Sequence, residues 1–494
     1  MATYKTGGFS PLRLLMRPAR GLFIAIFHYL DQHPLAMRAL HVCLRARPVW
    51  RIGHSVIVTG DAQVVEALQR DDDFPLPDER AEKFLHGAFV LGMTRTPQFD
   101  LERAELKTVM PARDEGRVQR LCEVSSADAI GRVASGRSLD VVTDLSTPVG
   151  QFLIINYFGI PAAYLDDPNP LRFIDDLRQL GAMIASPNSL LPGFRAEAEA
   201  AAVRVFAHVD REVREAEENI LTGVPVADTV LTRLVFRRLQ RGSGLNRDAV
   251  RRNIIGVLLP GVALVNRAFA TAVVQLLKRK PLRDALRIAR AQNGAARQDT
   301  LQKCLLEAMR FHPVFPVMPR HCPHETVLRG FRRIYRIRPG RDVFLSVASA
   351  MFDPRGALFD TPGGGYPPQA RLRNRDAYRH FGGGIHECLG QHIALPQMGA
   401  MLEALLQLDN LRVARGIEYH PDDGISPMSL ELTFTADPAG GQPASVAVVQ
   451  TPAAVPAQAP VGAAVQPPRP AQVKTPADPA VMANSPSDEV TASR

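Results

Sequence analysis

A single apolar segment, "DAVRRNIIGVLLPGVALVNRAFATAVVQLLKR" at residues 248–279, constrains the fold most. Its apolar residues recur at helical spacing over the whole stretch, with Asp248 as the expected cap and Pro281 just past its end. A helix this long and this apolar either crosses a membrane or runs through the core of a large domain. Asn266 and Arg267 interrupt the apolar run, and Pro260-Gly261 lie inside it, so the core reading is favoured. The rest of the chain agrees. "AEAEAAAVRVFAHVDREVREAEENIL" (196–221) reads as a second long helix, and "GDAQVVEALQRDD" (60–72) as a shorter one capped by Asp61, following the β-branched run "HSVIVTG" (54–60). Short strand-like pieces, "RDVFLSVAS" (341–349) and "SLELTF" (429–434), are minor.

The N-terminal "GLFIAIFHYL" (21–30) is about half the length of a spanning helix and is closed by Asp31 and His33. It is followed by no small-residue cleavage site, so neither a membrane span nor a secretory signal is expected. Residues 436–494 hold eleven prolines and no Phe, Tyr or Trp, and read as a disordered tail. The net charge of +9 rests on arginines spread along the chain, with only seven lysines among 59 basic residues. This argues against a nucleic-acid arm and leaves a basic face for an acidic redox partner. Cysteines 43, 122, 304, 322 and 388 form no C-x-x-C pair, which suits a reducing cytoplasm and excludes a zinc ribbon and covalent haem attachment. Cys43, Cys122 and Cys304 read as core residues, and the run of His312, His321, Cys322 and His324 fits no standard zinc spacing.

Chemistry concentrates in "RHFGGGIHECLGQHIAL" (379–395). Glycines lacking Cβ let backbone wrap a sulfur closely, with N–H groups aimed at it. Apolar helical spacing resumes after Gly390, so Cys388 is expected just ahead of a helix N-terminus, whose dipole favours an anionic sulfur. A stabilised thiolate on a rigid loop has three uses: covalent nucleophile, zinc ligand or axial ligand to haem iron. His386 is close enough in sequence to serve as a base. His386, Cys388 and His392 fall one ligand short of a zinc site.

The stretch resembles the cysteine-ligand loop of the cytochrome P-450 superfamily, the haem-thiolate monooxygenases, with its F-x-x-G-x-H-x-C-x-G pattern. The resemblance implies haem b with Cys388 as proximal iron ligand, Phe381 shielding it, Gly382, Gly384 and Gly390 shaping the loop, and His386 at a haem propionate. Other landmarks follow the family's order. Glu307 and Arg310 in "LLEAMRF" (305–311) match the E-x-x-R pair that anchors the meander leading into the cysteine loop. Arg320 in "PVFPVMPR" matches a propionate-binding arginine. "SAMFDPRGALFD" (349–360) is similar to the segment before the meander, and Arg103 in "RTPQFDLERAEL" falls where the C-helix arginine meets a propionate. The family often has histidine where this chain has Phe99.

The implied fold is mainly α with small β-sheets: one large cytochrome P-450 domain over 45–435, haem lying between a long central helix and the cysteine-loop helix. Residues 1–44 would lead in and 436–494 trail out. In the central helix, members that activate O2 usually carry an acid and an alcohol. The matching stretch here is "LLPGVALVN" (258–266), which places Pro260, Gly261, Ala263 and Leu264 at the distal groove and offers no Asp, Glu, Ser or Thr. Pro260 removes a helical N–H, and a bend is expected there. Arg267, two turns on, reads as structural, and Leu395 and Pro396 depart from the residues common after the cysteine.

The resulting expectation is a cytoplasmic, monomeric oxygenase acting on an apolar small molecule, fed by a ferredoxin-type donor or by peroxide. The alternatives are a peroxygenase or lipid-hydroperoxide isomerase, or a haem protein that senses gas or carries electrons without turnover.

Overall fold

The computed structural model describes residues 47–76, 90, 92–167, 169–185, 192–330, 333–353 and 372–435. Cys43, the 21–30 segment, most of 349–360 and the 436–494 tail lie outside the described residues.

Helices dominate. The central helix runs Arg247–Lys278 without interruption, through Pro260. It is the one helix among the described residues long and apolar enough to cross a membrane. Most of its apolar stretch, however, is buried inside the protein, as the core reading required. Its cap is Asn246, whose side chain accepts the Ala249 N–H at 2.7 Å, and not Asp248. Asp248 sits instead in the first turn and pairs with Arg251. A carboxylate there still favours the helix dipole, which is why the sequence pattern admits either residue. Helices Pro170–Ala185 and Pro192–Thr222 pack on one side of the central helix, and Gly294–Phe311 and Gln391–Leu405 on another.

The sheets are small. Strands β1 (Val49–Ile52), β2 (Ser55–Val58), β4 (Met318–Cys322) and β7 (Arg341–Leu345) form a four-stranded sheet in the order β1-β2-β7-β4. Only the β2–β7 pairing is parallel. Strands β3 (Ser138–Asp140), β8 (Asp409–Tyr419) and β9 (Pro427–Thr435) make a second sheet, and β5 (Thr326–Arg329) pairs with β6 (Ile334–Ile337). The 341–349 piece is strand only to Leu345. Ser346 then caps a helical turn, Val347–Ala350, by accepting the Ser349 N–H.

Helix Asp61–Gln69 differs from expectation at its start. Gly60 is the cap, and Asp61 is the first helical residue. Its carboxylate is held by Arg379, at 3.0 Å from Nε. The acid that pattern reading assigns to a local cap thus reaches across 318 residues to the cysteine loop.

Candidate active site

Local backbone geometry builds the cysteine loop. The Cys388 N–H donates to the Phe381 carbonyl at 2.9 Å, and the Glu387 N–H to the Gly384 carbonyl at 3.2 Å, closing a tight fold around the sulfur. Gly382 and Gly384 have φ of +73° and +67°, where an L side chain is strained. At Gly384 a Cβ would also lie 2.1 Å from the Leu68 carbonyl oxygen. The helix expected after Gly390 is present at Gln391–Leu405, with Gly390 as its cap.

Cys388 is half-buried. Burial pushes its thiol above the ordinary value, with Glu387 adding to the shift. The Gly390 backbone N–H, Arg103 and Arg375 pull the other way. Crowding by protein outweighs the N–H donor and the nearby cations. An anionic sulfur here needs a further positive charge, which a coordinated metal ion supplies.

Basic side chains converge on the same region from three separate elements. Arg103, on helix Pro97–Val109, donates through Nη2 to the Glu387 carbonyl at 3.0 Å, while its buried Nη1 has no partner. Burial lowers its pKa, against the pull of Glu387 and Cys388. Arg320, on β4, is buried and donates to its neighbour's carbonyl at Pro319; burial brings its guanidinium down to about 10, opposed by Asp71. His386 donates Nε2–H to the Asp71 carboxylate at 2.8 Å, and its buried Nδ1 has no partner. Phe99 packs edge-on to His386, ring centroids 5.4 Å apart, and lies under Arg103. Where the family often has a histidine, this chain thus has a wall for the imidazole.

Buried guanidinium groups such as those of Arg103 and Arg320 are costly without an anionic guest. Two carboxylates presented together, as haem propionates are, fit Arg103, Arg320 and His386, and Cys388 fits the iron. These residues would hold haem b, and haem so held supplies oxygen-transfer chemistry. By contrast, no group of three or more His, Cys, Asp or Glu side chains able to hold a bare metal ion occurs among the described residues. Cys322 instead donates to the His324 carbonyl, and His324 pairs with Asp73. Cys122 and Cys304 are buried in the core, burial pushing the Cys304 thiol up to about 12.

Behind the loop, Glu307 and Arg310 form the expected pair, Nε to Oε2 at 3.0 Å, both fully inside the protein. Sequence reasoning missed the third member. The Tyr378 hydroxyl donates to the same Glu307 oxygen at 2.8 Å, so the segment leading into the cysteine loop is tied to the pair. Next to it His380, stacked on Tyr378, donates to the Leu306 carbonyl at 2.9 Å. Asp71 was missed as well. Its only trace is the run Asp71-Asp72-Asp73 just after a helix, which reads as ordinary surface.

On the central helix Val257, Pro260, Gly261 and Leu264 are half-buried, while Leu258, Leu259, Val262 and Val265 between them are buried. The first set shares one helix face at three- and four-residue spacing. A Cβ at Gly261 would meet nothing within 4 Å, so this face borders open space. Ala263, also half-buried, adjoins it. Thr271, the first hydroxyl along the helix, donates to the Arg267 and Ala268 carbonyls. Arg267 is buried and donates to the Ile425 carbonyl, a structural contact as expected.

The family model for cytochrome P450 matches residues 53–418. The mycinamicin IV hydroxylase/epoxidase of Micromonospora griseorubida is 25% identical over 357 residues, 71% of this chain and 78% of that protein. The steroid C26-monooxygenase of Mycolicibacterium smegmatis is 25% identical over 336 residues, 67% of this chain and 74% of that one. Among solved structures, P450BioI in complex with a hexadec-9Z-enoic acid-ligated acyl carrier protein superposes with a TM-score of 0.66 at 18% identity, covering 82% of this chain and all of that one. CalO2 does so at 0.64 and 19%, covering 82% and 97%. The match spans most of the chain and includes every element that carries a site residue, from helix Pro97–Val109 to the cysteine loop, and the chain belongs to the cytochrome P450 family, as an enzyme of the monooxygenase type.

Proposed function

We propose that the protein inserts oxygen into an apolar small molecule, using haem b held through Cys388 with Arg103, Arg320 and His386 at its propionates. The observation that carries this reading is the half-buried Cys388 on its glycine loop, with the buried Arg103, whose Nη1 has no partner among the described residues, the buried Arg320 and the His386 imidazole around it. The apolar substrate is supported by the Val257–Leu264 face, which has no charged side chain. The names of the relatives, a mycinamicin IV hydroxylase/epoxidase and a steroid C26-monooxygenase, are in keeping with it. A ferredoxin-type donor, cytoplasmic location and a monomeric state belong to the same reading. Cys388→His tests the ligand assignment: haem is expected to stay bound, and the red-shifted band of the reduced carbon-monoxide complex to disappear. Survival of that band would refute Cys388 as the ligand.

One observation favours peroxide as the oxygen source. The groove face of the central helix offers no acid or alcohol at 258–266, and the Thr271 hydroxyl is committed to backbone carbonyls. No side chain of that segment can therefore release a proton into the groove. Peroxide arrives carrying its own.

A further inference from the structure

Arg375 is a half-buried charge that neither the cysteine motif nor the helix packing explains. It opens the short 3-10 turn Arg375–Ala377, ahead of the loop. Its Nε and Nη2 are buried and have no hydrogen-bond partner. The guanidinium lies 5.8 Å from the centre of the Phe381 ring. Phe381 is also the residue whose carbonyl fixes the Cys388 N–H, so the arginine covers the ring of the residue that sets the cysteine's backbone.

Arginines nearby behave differently. Arg379 is paired with Asp61 and Arg310 with Glu307. These two arginines each hold a carboxylate, which offsets the cost of taking a cation out of water. Arg375 has none among its described ion pairs, and its guanidinium stands over the ring of Phe381, whose carbonyl accepts the Cys388 N–H. A cation retained under those conditions is explained by what its field does to a group beside it.

We propose that Arg375 is a positioning residue of the sulfur side: its half-buried charge, seated on Phe381, sets the reduction potential of the iron that Cys388 would hold. This rests on haem binding through Cys388. A fixed positive charge favours the form with one more electron, so it raises the potential. A full charge within roughly 10 Å, at an effective dielectric near 20, shifts a one-electron equilibrium by more than tenfold.

The test is a spectroelectrochemical titration of the haem-loaded full chain, with mediators, comparing wild type, Arg375→Lys and Arg375→Gln. At a fixed poise, Arg375→Gln is expected to lower the ratio of reduced to oxidised protein at least tenfold, which is 59 mV for one electron. Arg375→Lys keeps the charge and is expected to stay within about threefold of wild type. An unchanged ratio in Arg375→Gln, or an equal drop in both variants, overturns the proposal, since a packing role would not distinguish lysine from glutamine in potential. Should Arg375→Gln retain no haem, Arg375→His decides. Its charge is lost between about pH 5 and 8, so its reduced fraction must fall with pH more steeply than wild type; parallel curves overturn the idea. A missing red-shifted carbon-monoxide band in the wild type would strike at thiolate ligation instead, and is read separately from the potential.

Discussion

The Tyr378 hydroxyl donates to Glu307 Oε2 at 2.8 Å across 71 residues of chain. This joins the segment entering the cysteine loop to a buried ion pair on another helix. Glu307 already forks onto Arg310, so its carboxylate is shared by a cation and a phenol. Hydrogen bonds to charged groups contribute about 1.5–3 kcal/mol. Tyr378→Phe is expected to lower unfolding free energy by an amount in that range. Glu307→Gln strips Arg310 of its countercharge and is expected to cost more, about 3–5 kcal/mol. Urea titrations of the two variants check the order; a smaller loss in Glu307→Gln than in Tyr378→Phe would contradict it.

Gly384→Ala is expected to abolish haem retention. The added methyl would sit 2.1 Å from the Leu68 carbonyl oxygen, in backbone, and at a φ of +67°. Neither side can yield cheaply. Gly261→Ala is the matched control, since its Cβ meets open space; it should keep haem and affect only what enters the groove. Haem-to-protein absorbance ratios after gel filtration distinguish the two outcomes.

Acid should loosen the loop through His380. Burial holds this imidazole down at about 4, against an ordinary 6.5, so the unfolded chain binds its proton more readily than the native protein does. Stability therefore falls as pH drops from 6.5 towards 4, by about 1.4 kcal/mol per pH unit at most. His380→Gln removes that titration while keeping a donor for the Leu306 carbonyl. Denaturant midpoints at pH 7 and 5 should lie closer together in the variant, and equal spacing in both proteins would rule this out.

Product formed per electron consumed should be poor with a ferredoxin system, and peroxide or a fatty hydroperoxide should support turnover at least as well. The cause is the groove face at 258–266, which lacks a proton-delivering side chain. Tight coupling of reductant to product, with no peroxide-driven activity, would mean that water or the substrate provides the protons.

Truncation after Thr435 should leave haem content and melting temperature nearly unchanged. Residues 436–494 contain no aromatic residue to anchor them on the domain. A fall of several degrees on truncation would show that the tail packs.

The cysteine loop, the Glu307–Arg310 pair and the long central helix were legible because each is written in contiguous residues with a spacing that physics restricts. Arg103 and Arg320 were legible only through family resemblance, since nothing local marks either as facing a cofactor. Asp71 and Tyr378 were not legible at all. Their roles exist only as pairings with His386 and Glu307, over sequence separations of 315 and 71 residues that no periodicity encodes. Caps failed for a related reason. Asp61 and Asp248 are good local caps by residue type, but Arg379 and Arg251 claim their carboxylates, and Gly60 and Asn246 take the caps.

Residues 61–71 meet the cysteine loop at three points: Asp61 at Arg379, Leu68 at Gly384 and Asp71 at His386. Each joins parts of the chain more than three hundred residues apart. The loop is therefore moulded against a surface that leaves the ribosome first, and its final shape waits for the polymer to close a very large ring. Such closure is entropically slow. Haem capture is then expected late in folding, timed by the closure of that ring.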